Sequence, residues 1–361
     1  MAVDARALSD ASRYRGIGTY VLQLLTALAG QDAVEVMAVA PAGVDVPAGV
    51  VHIPNVRQAP DRWATIEHRW RIATELDRAP ADLNHSPGLD PLRRSTRPWV
   101  QTVPDVLPLV DGDPRFAVER RRWRRWAPLV RRANAVVTFS RHGADQVRTQ
   151  LGVDLRHVHV IPLAAGAEMF PDPARRAASD RPYILYVGEF GPHKGYREAA
   201  AVAAALVSSG LPHRLLMAGR LTEVTRRPAE EAVRAGAGPA WRDHVELLGW
   251  VADVAGLYQG AAALVVTSRH EGFGLPAVEA MACGTPVVAF ANSATSEVVG
   301  AGGTLVADQD VDAMARELVD ILRHPARWET ASAAGLARSG AFDWKATARH
   351  HVDVYREVAC A

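Results

Sequence analysis

The spacing of apolar residues constrains the fold of this chain more than any other feature of its sequence. In the second half, short runs of Val, Ile and Leu alternate with Ala-rich or amphipathic stretches. Continuous apolar strands that alternate with helices are typical of a parallel sheet covered on both faces. The runs are YILYVG (183–188), HRLLMAG (213–219), HVELLGW (244–250), AALVVTS (262–268) and TPVVAF (285–290).

The first half repeats the alternation less regularly. Its candidate strands are VEVMAVA (34–40), ADLNHS (81–86), RPWVQTV (97–103), NAVVTFS (134–140) and HVHVIPL (157–163). Residues 164–182 lack apolar periodicity, contain three prolines and are typical of an interdomain linker. The sequence therefore predicts an α/β protein with two Rossmann-like, doubly wound domains facing a central cleft. The predicted domains are 1–166 and 167–344, with a last helix (about 345–361) that packs back on the first.

Composition narrows the class of protein. The chain has 361 residues and a formal net charge of +1, which gives no overall attraction to nucleic acid. Its two cysteines, Cys283 and Cys360, lie far apart and favour a reducing compartment over a disulfide scaffold. We find no apolar run of signal-peptide or membrane-spanning length. The expectation is a cytoplasmic protein.

The segment HEGFGLPAVEAMACG (270–284) follows the AALVVTS strand. Pro276 suits the first position of a helix, and Gly284 suits its C-terminal cap. The free N–H groups of such a helix, beside a glycine-rich loop, attract an anion such as a diphosphate. Glu271 and Glu279 can then accept from the hydroxyls of one elongated ligand. The alternative is that both glutamates are surface residues and the glycines serve only a tight turn.

The E-x7-E spacing around GFGLP, followed by EAMACGTPVV, resembles the signature of the family 4 retaining glycosyltransferases, which have the GT-B fold. The resemblance covers nearly the whole chain and implies a nucleotide-sugar-dependent transferase. Its other segments are RGIGTY, VVTFSRHGADQV (136–147), VHVIPLAAGAEMF (158–170), YILYVGEFGPHKG (183–195), VELLGWV (245–251) and the closing FDWKATARHHVDVY.

The resemblance assigns donor-binding roles to individual residues. Glu279 would hold the ribose hydroxyls, Glu271 would contact the hexose, and Lys194 would neutralise the diphosphate. Backbone groups around Gly249 and Trp250 would influence the choice of base. The remaining expected donor contacts are the backbone of Phe273, Gly274 and Leu275 and a phosphate-covering loop with Gly16 and Gly18.

This chain departs from the family pattern at two positions. Glu189 stands where many relatives have an arginine for the diphosphate, and Arg220, in MAGR, is the candidate replacement. Pro104–Asp105 stands where relatives commonly have His-Asp beside the reacting sugar. His85, in NHSP, is the candidate replacement for that histidine, and a satisfied structural histidine is the alternative. The candidate catalytic residues are therefore Glu271, Lys194, Arg220, Asp105 and His85.

Neither a metal nor a redox cofactor is expected. The literal DxD matches, 111–113 and 308–310, fall in loops away from the motifs above. A dinucleotide fingerprint would need a third glycine at position 21, which is Val21. The implied route is same-face substitution, in which the departing phosphate helps to deprotonate the acceptor hydroxyl. The donor itself is a substrate, GDP-mannose or a UDP-sugar.

The acceptor side is marked by one charge cluster, ERRRWRRWAPLVRR (119–132). It suits an anionic or lipid-linked acceptor, or peripheral contact with the inner face of the membrane. The alternative is a solvated helix whose tryptophans, Trp123 and Trp126, pack inward. Residues 61–78 have a similar character and are expected to flank the acceptor.

The sequence thus predicts a retaining hexosyltransferase that acts on a hydroxyl of a glycan, a lipid-linked acceptor or a small glycoside. YVGEFGPHKG and GIGTYVLQLLTALA resemble a branch that contains many mannosyltransferases, which favours GDP-mannose as the donor. A UDP-sugar-dependent transferase and a sugar-nucleotide epimerase are the alternatives within the enzymes. Given Glu189 and Pro104, a sugar-nucleotide-binding protein with weak transfer activity is the alternative outside them.

Overall fold

The computed structural model describes residues 1–9, 13, 16–56, 72–88, 90–177 and 181–360. The chain forms two compact units, one of Met1–Leu163 with Asp343–Ala361 and the other of Ala164–Phe342. The boundaries expected from the sequence, after residues 166 and 344, lie three and two residues beyond those observed after 163 and 342. Each unit contains a wholly parallel sheet, so the predicted α/β class with two Rossmann-like units is confirmed.

The first unit contains, in the part of the chain described, a seven-stranded sheet in the order β3-β2-β1-β4-β5-β6-β7. Its strands are β1 (Ala2–Asp4), β2 (Met37–Pro41), β3 (Val51–Val56), β4 (Asn84–Ser86), β5 (Trp99–Thr102), β6 (Ala135–Thr138) and β7 (Val158–Val160). Its labelled helices are α1 (Gly16–Ala29), α2 (Leu107–Val110), α3 (Ala117–Val130), α4 (Arg141–Gln146) and the last helix of the chain, α13 (Trp344–Cys360).

Apolar side chains between the helices and the sheet form the core of this unit. Trp123 and Trp126 of α3 are buried there, with their rings edge to face at 5.6 Å. The amphipathic helix α13 packs against α1 and β5, and it buries Val352, Val354 and Val358. Helix α13 therefore belongs to the same unit as β1 and α1.

The second unit contains a six-stranded sheet in the order β10-β9-β8-β11-β12-β13 within the described residues. Its strands are β8 (Tyr183–Val187), β9 (Arg214–Ala218), β10 (Val245–Gly249), β11 (Ala263–Val266), β12 (Val287–Phe290) and β13 (Thr304–Val306). Its helices are α5 (Pro173–Ala177), α6 (Tyr196–Ser208), α7 (Glu223–Ala237), α8 (Val254–Gly260), α9 (Leu275–Ala282), α10 (Ser293–Val299), α11 (Val311–Arg323) and α12 (Pro325–Ser339).

The strand order of the second unit reverses between β8 and β11. From β8 the chain continues outward to β9 and β10, and it then returns to β11 on the other side of β8. The loops that follow β8 and β11 therefore diverge and leave a crevice at the carboxyl edge of the sheet, where ligands of such folds bind. In the described part of the chain, no helix has both the length and the apolar character needed to cross a membrane.

Candidate functional site

The loops after β8 and β11 bring two of the expected site residues together at the switch point. Lys194 ends a short 3-10 turn after β8, and Glu271 lies in the loop after β11. The Lys194 Nζ contacts both carboxylate oxygens of Glu271, at 2.8 and 2.9 Å. Both side chains are mostly buried, with exposed fractions of 21% and 13%. The candidate diphosphate cation and the candidate hexose-binding carboxylate are thus paired with each other.

Backbone contacts fix these two loops against one another. Gly195, next to Lys194, has φ +67°, and a Cβ there would overlap the carbonyl oxygen of Thr267. The N–H of Arg269 donates to the carbonyl of His193 at 2.7 Å. Only glycine permits this approach, because any other side chain would push the two loops apart. The separation of Lys194 from Glu271 is therefore set by the backbone.

The carboxyl group of Glu271 is held in its ionised form. Burial by itself raises the pKa of this group, but the charge and hydrogen bonds of Lys194 lower it, together with a hydrogen bond from Ser268. The balance leaves the pKa of Glu271 below its ordinary value. An ionised carboxylate at the edge of a crevice is an acceptor for ligand hydroxyl groups.

Helix α9 begins beside Glu271 with Gly274 as its N-cap, at φ +100°. Pro276 is the second helical residue rather than the first, and it still lies in the turn whose N–H groups have no partner within the helix. The N–H groups of Gly274 and Leu275 donate to no residue that the structure describes. The start of the helix therefore presents unpaired donors and the positive end of its dipole to the crevice.

The C-terminal end of α9 follows the sequence prediction. Gly284 has φ +69°, and its N–H donates to the carbonyl of Met281 at 3.0 Å. The N–H of Thr285 donates to the carbonyl of Ala280 at 2.9 Å. These two bonds form a Schellman motif, so the helix is limited to two turns and Glu279 keeps a fixed position near its end.

Glu279 lies on the inner side of α9 and is partly buried. The buried hydroxyl of Tyr258, in α8, donates to its Oε2 at 2.7 Å. Burial raises the pKa of Glu279 to about 7; Tyr258 opposes this shift, and the nearby charge of Glu168 adds to it. Glu279 therefore exchanges a proton near neutral pH, unlike Glu271. Tyr258 was not identified from the sequence. Its one signal there is its position in the helix before β11, the strand that leads into the E-x7-E segment.

The other expected donor contacts in the second unit are accessible to different degrees. Phe273 is buried with its ring edge to face against Phe342, at 5.6 Å, so only its backbone is available to a ligand. Gly249 ends β10 with φ +75°. Trp250, directly after it, has a side chain that is 56% exposed. An exposed indole at the carboxyl end of a strand offers a flat apolar surface for a planar ring.

Glu189, after β8, and Arg220, after β9, are both exposed. They are the residue that departs from the family pattern and its candidate replacement as a diphosphate cation. Arg220 follows β9 and forms no ion pair with any residue in the described ranges. The side chain of Glu189 is exposed, and its carbonyl accepts a hydrogen bond from the hydroxyl of Tyr186 at 3.2 Å. Arg220 therefore has an uncommitted charge, whereas the charge of Lys194 is already balanced by Glu271.

In the first unit, Gly16 and Gly18 lie in the first turn of α1 and not in a glycine loop. The expectation of a loop at these two residues is therefore wrong; residues 10–12 and 14–15, just before α1, lie outside the described residues. Asp105 is partly exposed, and its Oδ1 accepts from the N–H of Leu107 at 2.9 Å, at the start of α2. The carboxylate of Asp105 thus serves the local turn, and one of its oxygens stays unused by that bond.

His85 belongs to a fully buried chain of hydrogen bonds. Its Nδ1 contacts the Tyr355 hydroxyl at 2.8 Å, and its Nε2 contacts the Thr102 Oγ1 at 2.9 Å. Tyr20 contacts both Thr102, at 3.1 Å, and the Nε2 of His351, at 3.0 Å. With both nitrogens paired and no exposed surface, His85 matches the satisfied structural histidine and not a residue that meets a sugar.

The direction of every hydrogen bond in this buried network follows from His351. The Nδ1 of His351 faces the carbonyl of Thr347 at 2.8 Å and must carry the proton. Neutral His351 then accepts at Nε2 from Tyr20, which accepts from Thr102, which accepts from His85 Nε2. Tyr355 donates to the remaining nitrogen of His85. This hydrogen-bond network thus joins α13 to α1, β4 and β5, and both of its histidines are neutral.

Helix α3 carries the charge cluster predicted to face the acceptor. Trp123 and Trp126 are buried, so the alternative in which the tryptophans pack inward is correct. The opposite side carries the exposed residues Arg121, Arg124 and Arg125, and exposed Arg132 follows two residues after the helix; these four are here named the α3 basic face. Residues 61–71 of the second predicted acceptor segment lie outside the described residues.

Comparison with known proteins identifies the family. Residues 181–324 match the family described as Glycosyl transferases group 1, and residues 14–165 match Glycosyltransferase Family 4. O-antigen chain mannosyltransferase B of Escherichia coli is 32% identical over 180 residues, which are 48% of this chain and 45% of that protein. A glycogen synthase of Mycobacterium tuberculosis is 30% identical over 234 residues, 63% of this chain and 55% of the relative. The chain spans about half the length of these curated relatives.

The fold is matched over the full length of a solved structure. The sucrose-phosphate synthase of Thermosynechococcus elongatus superimposes with a TM-score of 0.82 at 24% identity, over 99% of this chain and 98% of the other. The two matched families together cover both units, and the E-x7-E segment lies within the second match. This chain therefore belongs to the family 4 glycosyltransferases and has their GT-B fold.

Proposed function

We propose that this protein transfers a hexose from a nucleoside diphosphate sugar to an acceptor hydroxyl, with retention of anomeric configuration and without a metal ion. The observation that carries the proposal is the meeting of Lys194, Glu271 and the start of α9 at the switch point of the second sheet. An ammonium, a carboxylate and free helix N–H groups at one place suit the junction between a diphosphate and a sugar ring.

Each group of the donor has a matching feature in this unit. The diphosphate lies against the free N–H groups of Gly274 and Leu275, with Lys194 and Arg220 supplying positive charge. Glu271 accepts from the hydroxyls of the hexose, and Glu279 accepts from the two hydroxyls of the ribose. Fixed donors and acceptors orient the anomeric carbon, which lowers the entropic part of the barrier.

The reaction breaks the bond between the anomeric carbon and the diphosphate oxygen and forms a bond from the same carbon to the acceptor oxygen. The proton of the acceptor hydroxyl passes to an oxygen of the leaving diphosphate. Negative charge grows on that group as it departs, so the cations and the helix start stabilise the transition state more than the bound donor. The products are a glycoside and a nucleoside diphosphate.

The donor proposed is GDP-mannose, because the chain resembles mannosyltransferases and is similar to O-antigen chain mannosyltransferase B of E. coli. A UDP-sugar, the alternative that the family resemblance leaves open, is the second candidate. The acceptor proposed is a hydroxyl group on a glycan, a lipid-linked sugar or a small glycoside. The α3 basic face favours an acceptor that carries negative charge or lies at an anionic membrane surface.

Calorimetric titration without metal tests the donor site directly. GDP, UDP, ADP and dTDP are titrated into the wild-type protein and into Glu279→Ala. We expect tight binding of one nucleotide that is lost in the variant, and that nucleotide names the base. The sugar-nucleotide with that base is then incubated with acceptor glycosides, and the anomeric configuration of the product is read by NMR. Binding of none of the four nucleotides would contradict the proposed function.

Arg220→Ala tests the assignment of the second diphosphate cation. Because Arg220 is exposed and has no ion pair with a described residue, its removal should leave the folded protein as stable as the wild type. We expect the affinity for the nucleoside diphosphate to fall by about 1.5–3 kcal/mol, the range for a hydrogen bond to a charged group. An unchanged affinity would show that the substitution of Glu189 for a cation is not compensated here.

A further inference from the structure

Ser293, the first residue of α10, has an unusual backbone conformation. Its φ is +42°, and among the residues that the structure describes only Gln309, at +62°, is another non-glycine residue with positive φ. In this region the Cβ of an L-residue crowds the backbone, so the conformation is maintained only where neighbouring contacts hold it. The contacts of Ser293 show what maintains it.

The hydroxyl of Ser293 is committed to the loop that carries Glu271. Its Oγ accepts from the N–H of Glu271 at 3.0 Å, and it donates to the Oδ1 of Asn292 at 3.0 Å. The N–H of Ala294 also approaches the carbonyl of Glu271, at 3.4 Å. The N–H of Glu271 therefore donates to the side chain of Ser293, and its C=O accepts from the backbone of Ala294.

Asn292 connects this contact to the strand ends on both sides. Its Nδ2 donates to the carbonyl of Ser268, just after β11, at 2.9 Å. The same nitrogen contacts the Oδ1 of Asp308, after β13, at 2.5 Å. With Asn292 fixed in this way, the hydroxyl of Ser293 has one orientation, and the N–H of Glu271 is its donor.

We propose that Ser293 is a positioning residue for Glu271, retained in a strained conformation because its hydroxyl fixes where the Glu271 carboxylate meets the donor hexose. The inference rests on the proposed function, in which Glu271 contacts the sugar and Glu279 contacts the ribose. Glu279 is held separately, by α9 and by Tyr258. Ser293 therefore controls the hexose part of the site and leaves the nucleotide part unchanged.

Two substitutions separate strain from the hydrogen bond. Ser293→Gly removes both the hydroxyl and the strain, whereas Ser293→Ala removes only the hydroxyl. We expect the glycine variant to have the higher melting temperature of the two. In both variants the dissociation constant of the free nucleoside diphosphate should stay within about 2-fold of wild type, while that of the matching nucleotide sugar should rise about 3- to 10-fold, the equivalent of one hydrogen bond.

Two control variants isolate the effect. Gln309→Gly relieves the other positive-φ strain and removes a hydrogen bond to Asp308 Oδ2, not to the Oδ1 that contacts Asn292. It should raise the melting temperature and leave both dissociation constants unchanged. Ser296→Ala removes a hydroxyl from the same helix, one turn further on. It should change neither constant.

Calorimetry with GDP and GDP-mannose, and with UDP and UDP-glucose, gives the ratio of the two dissociation constants for each variant. A selective loss of nucleotide-sugar affinity supports the positioning role. An equal loss for nucleotide and nucleotide sugar, or no loss for either, overturns it while the proposed function stands. Failure of the wild-type protein to bind GDP, UDP, ADP, dTDP or a nucleotide sugar overturns the proposed function and, with it, this inference.

Discussion

Binding of the nucleotide should release a proton from Glu279, and the structure gives the size of the effect. Burial raises the pKa of this carboxyl to about 7. Two ribose hydroxyls that donate to the carboxylate stabilise its ionised form, as the hydroxyl of Tyr258 already does. If only the ionised form binds, the dissociation constant is raised ~2-fold at pH 7 and ~11-fold at pH 6, relative to its value at high pH.

The assay is calorimetric titration of the nucleoside diphosphate in pairs of buffers that differ in ionisation enthalpy. The difference in observed heat gives the number of protons released per nucleotide. We expect roughly half a proton at pH 7, most of one at pH 6 and almost none at pH 8. The sign follows from the direction of the shift, because a raised pKa leaves the free protein protonated at and below neutral pH.

Two variants assign the proton to Glu279. Glu279→Gln cannot ionise, so the proton release between pH 6 and pH 8 should disappear along with part of the affinity. Tyr258→Phe removes a donor that favours the ionised carboxylate, so the pH at which half a proton is released should move upward. Proton release that persists in Glu279→Gln would refute the reasoning, because some other group would then be the source.

The remaining predictions concern backbone, network and surface. Gly195→Ala should lower the free energy of unfolding by about 3 kcal/mol or more in urea titration, because its positive φ and the Thr267 carbonyl leave no room for a Cβ; an unaffected variant would contradict the close packing of the two loops. Tyr355→Phe leaves the Nδ1 of buried His85 without a donor and should cost about 1–3 kcal/mol in the same assay; a variant as stable as the wild type would contradict the assigned hydrogen bond. Burial lowers the pKa of His351 from 6.5 to about 4, so the native state binds protons less readily than the unfolded chain, and stability should fall by about 3 kcal/mol as the pH drops from 6.5 to 4. Replacing two arginines of the α3 basic face by glutamate should abolish salt-sensitive co-sedimentation with anionic liposomes, and wild-type protein that fails to sediment would contradict membrane contact.

Most strands in the described residues were predictable from the sequence, whereas β1, β3 and β13 were not. All ten strands expected from the sequence are present, because each combines apolar residues with flanking turn signals. β1 (Ala2–Asp4) and β13 (Thr304–Val306) have three residues each, as do β4 and β7, but they lie in no candidate strand of the sequence. β3 (Val51–Val56) contains Pro54, which argues against a central strand, and it lies at the edge of its sheet, where proline is tolerated. Their pairing partners, distant in sequence, make them strands.

In the candidate site, local sequence motifs predicted individual residues but not the contacts between residues distant in sequence. The family motif pointed to Lys194, Glu271 and Glu279, because they lie in the loops after β8 and β11 or in the short helix that follows β11, each with a recognisable local sequence. It did not indicate that Lys194 and Glu271, 77 positions apart, pair with each other. The link between His85 and Tyr355 spans 270 positions and joins a strand to the last helix. No local pattern encodes a partner at that distance.

Three features that oppose stability converge on Glu271. Gly195 gives up backbone entropy so that its loop can approach the strand end, and Ser293 holds a positive φ without being glycine. The ion pair with Lys194 is mostly buried, and such pairs commonly gain little because desolvation offsets their attraction. A fold that needed only stability would place an apolar residue at position 271 and relax the other two. Local rules are broken in this way mainly at functional sites, so the convergence supports the proposal that Glu271 contacts the donor.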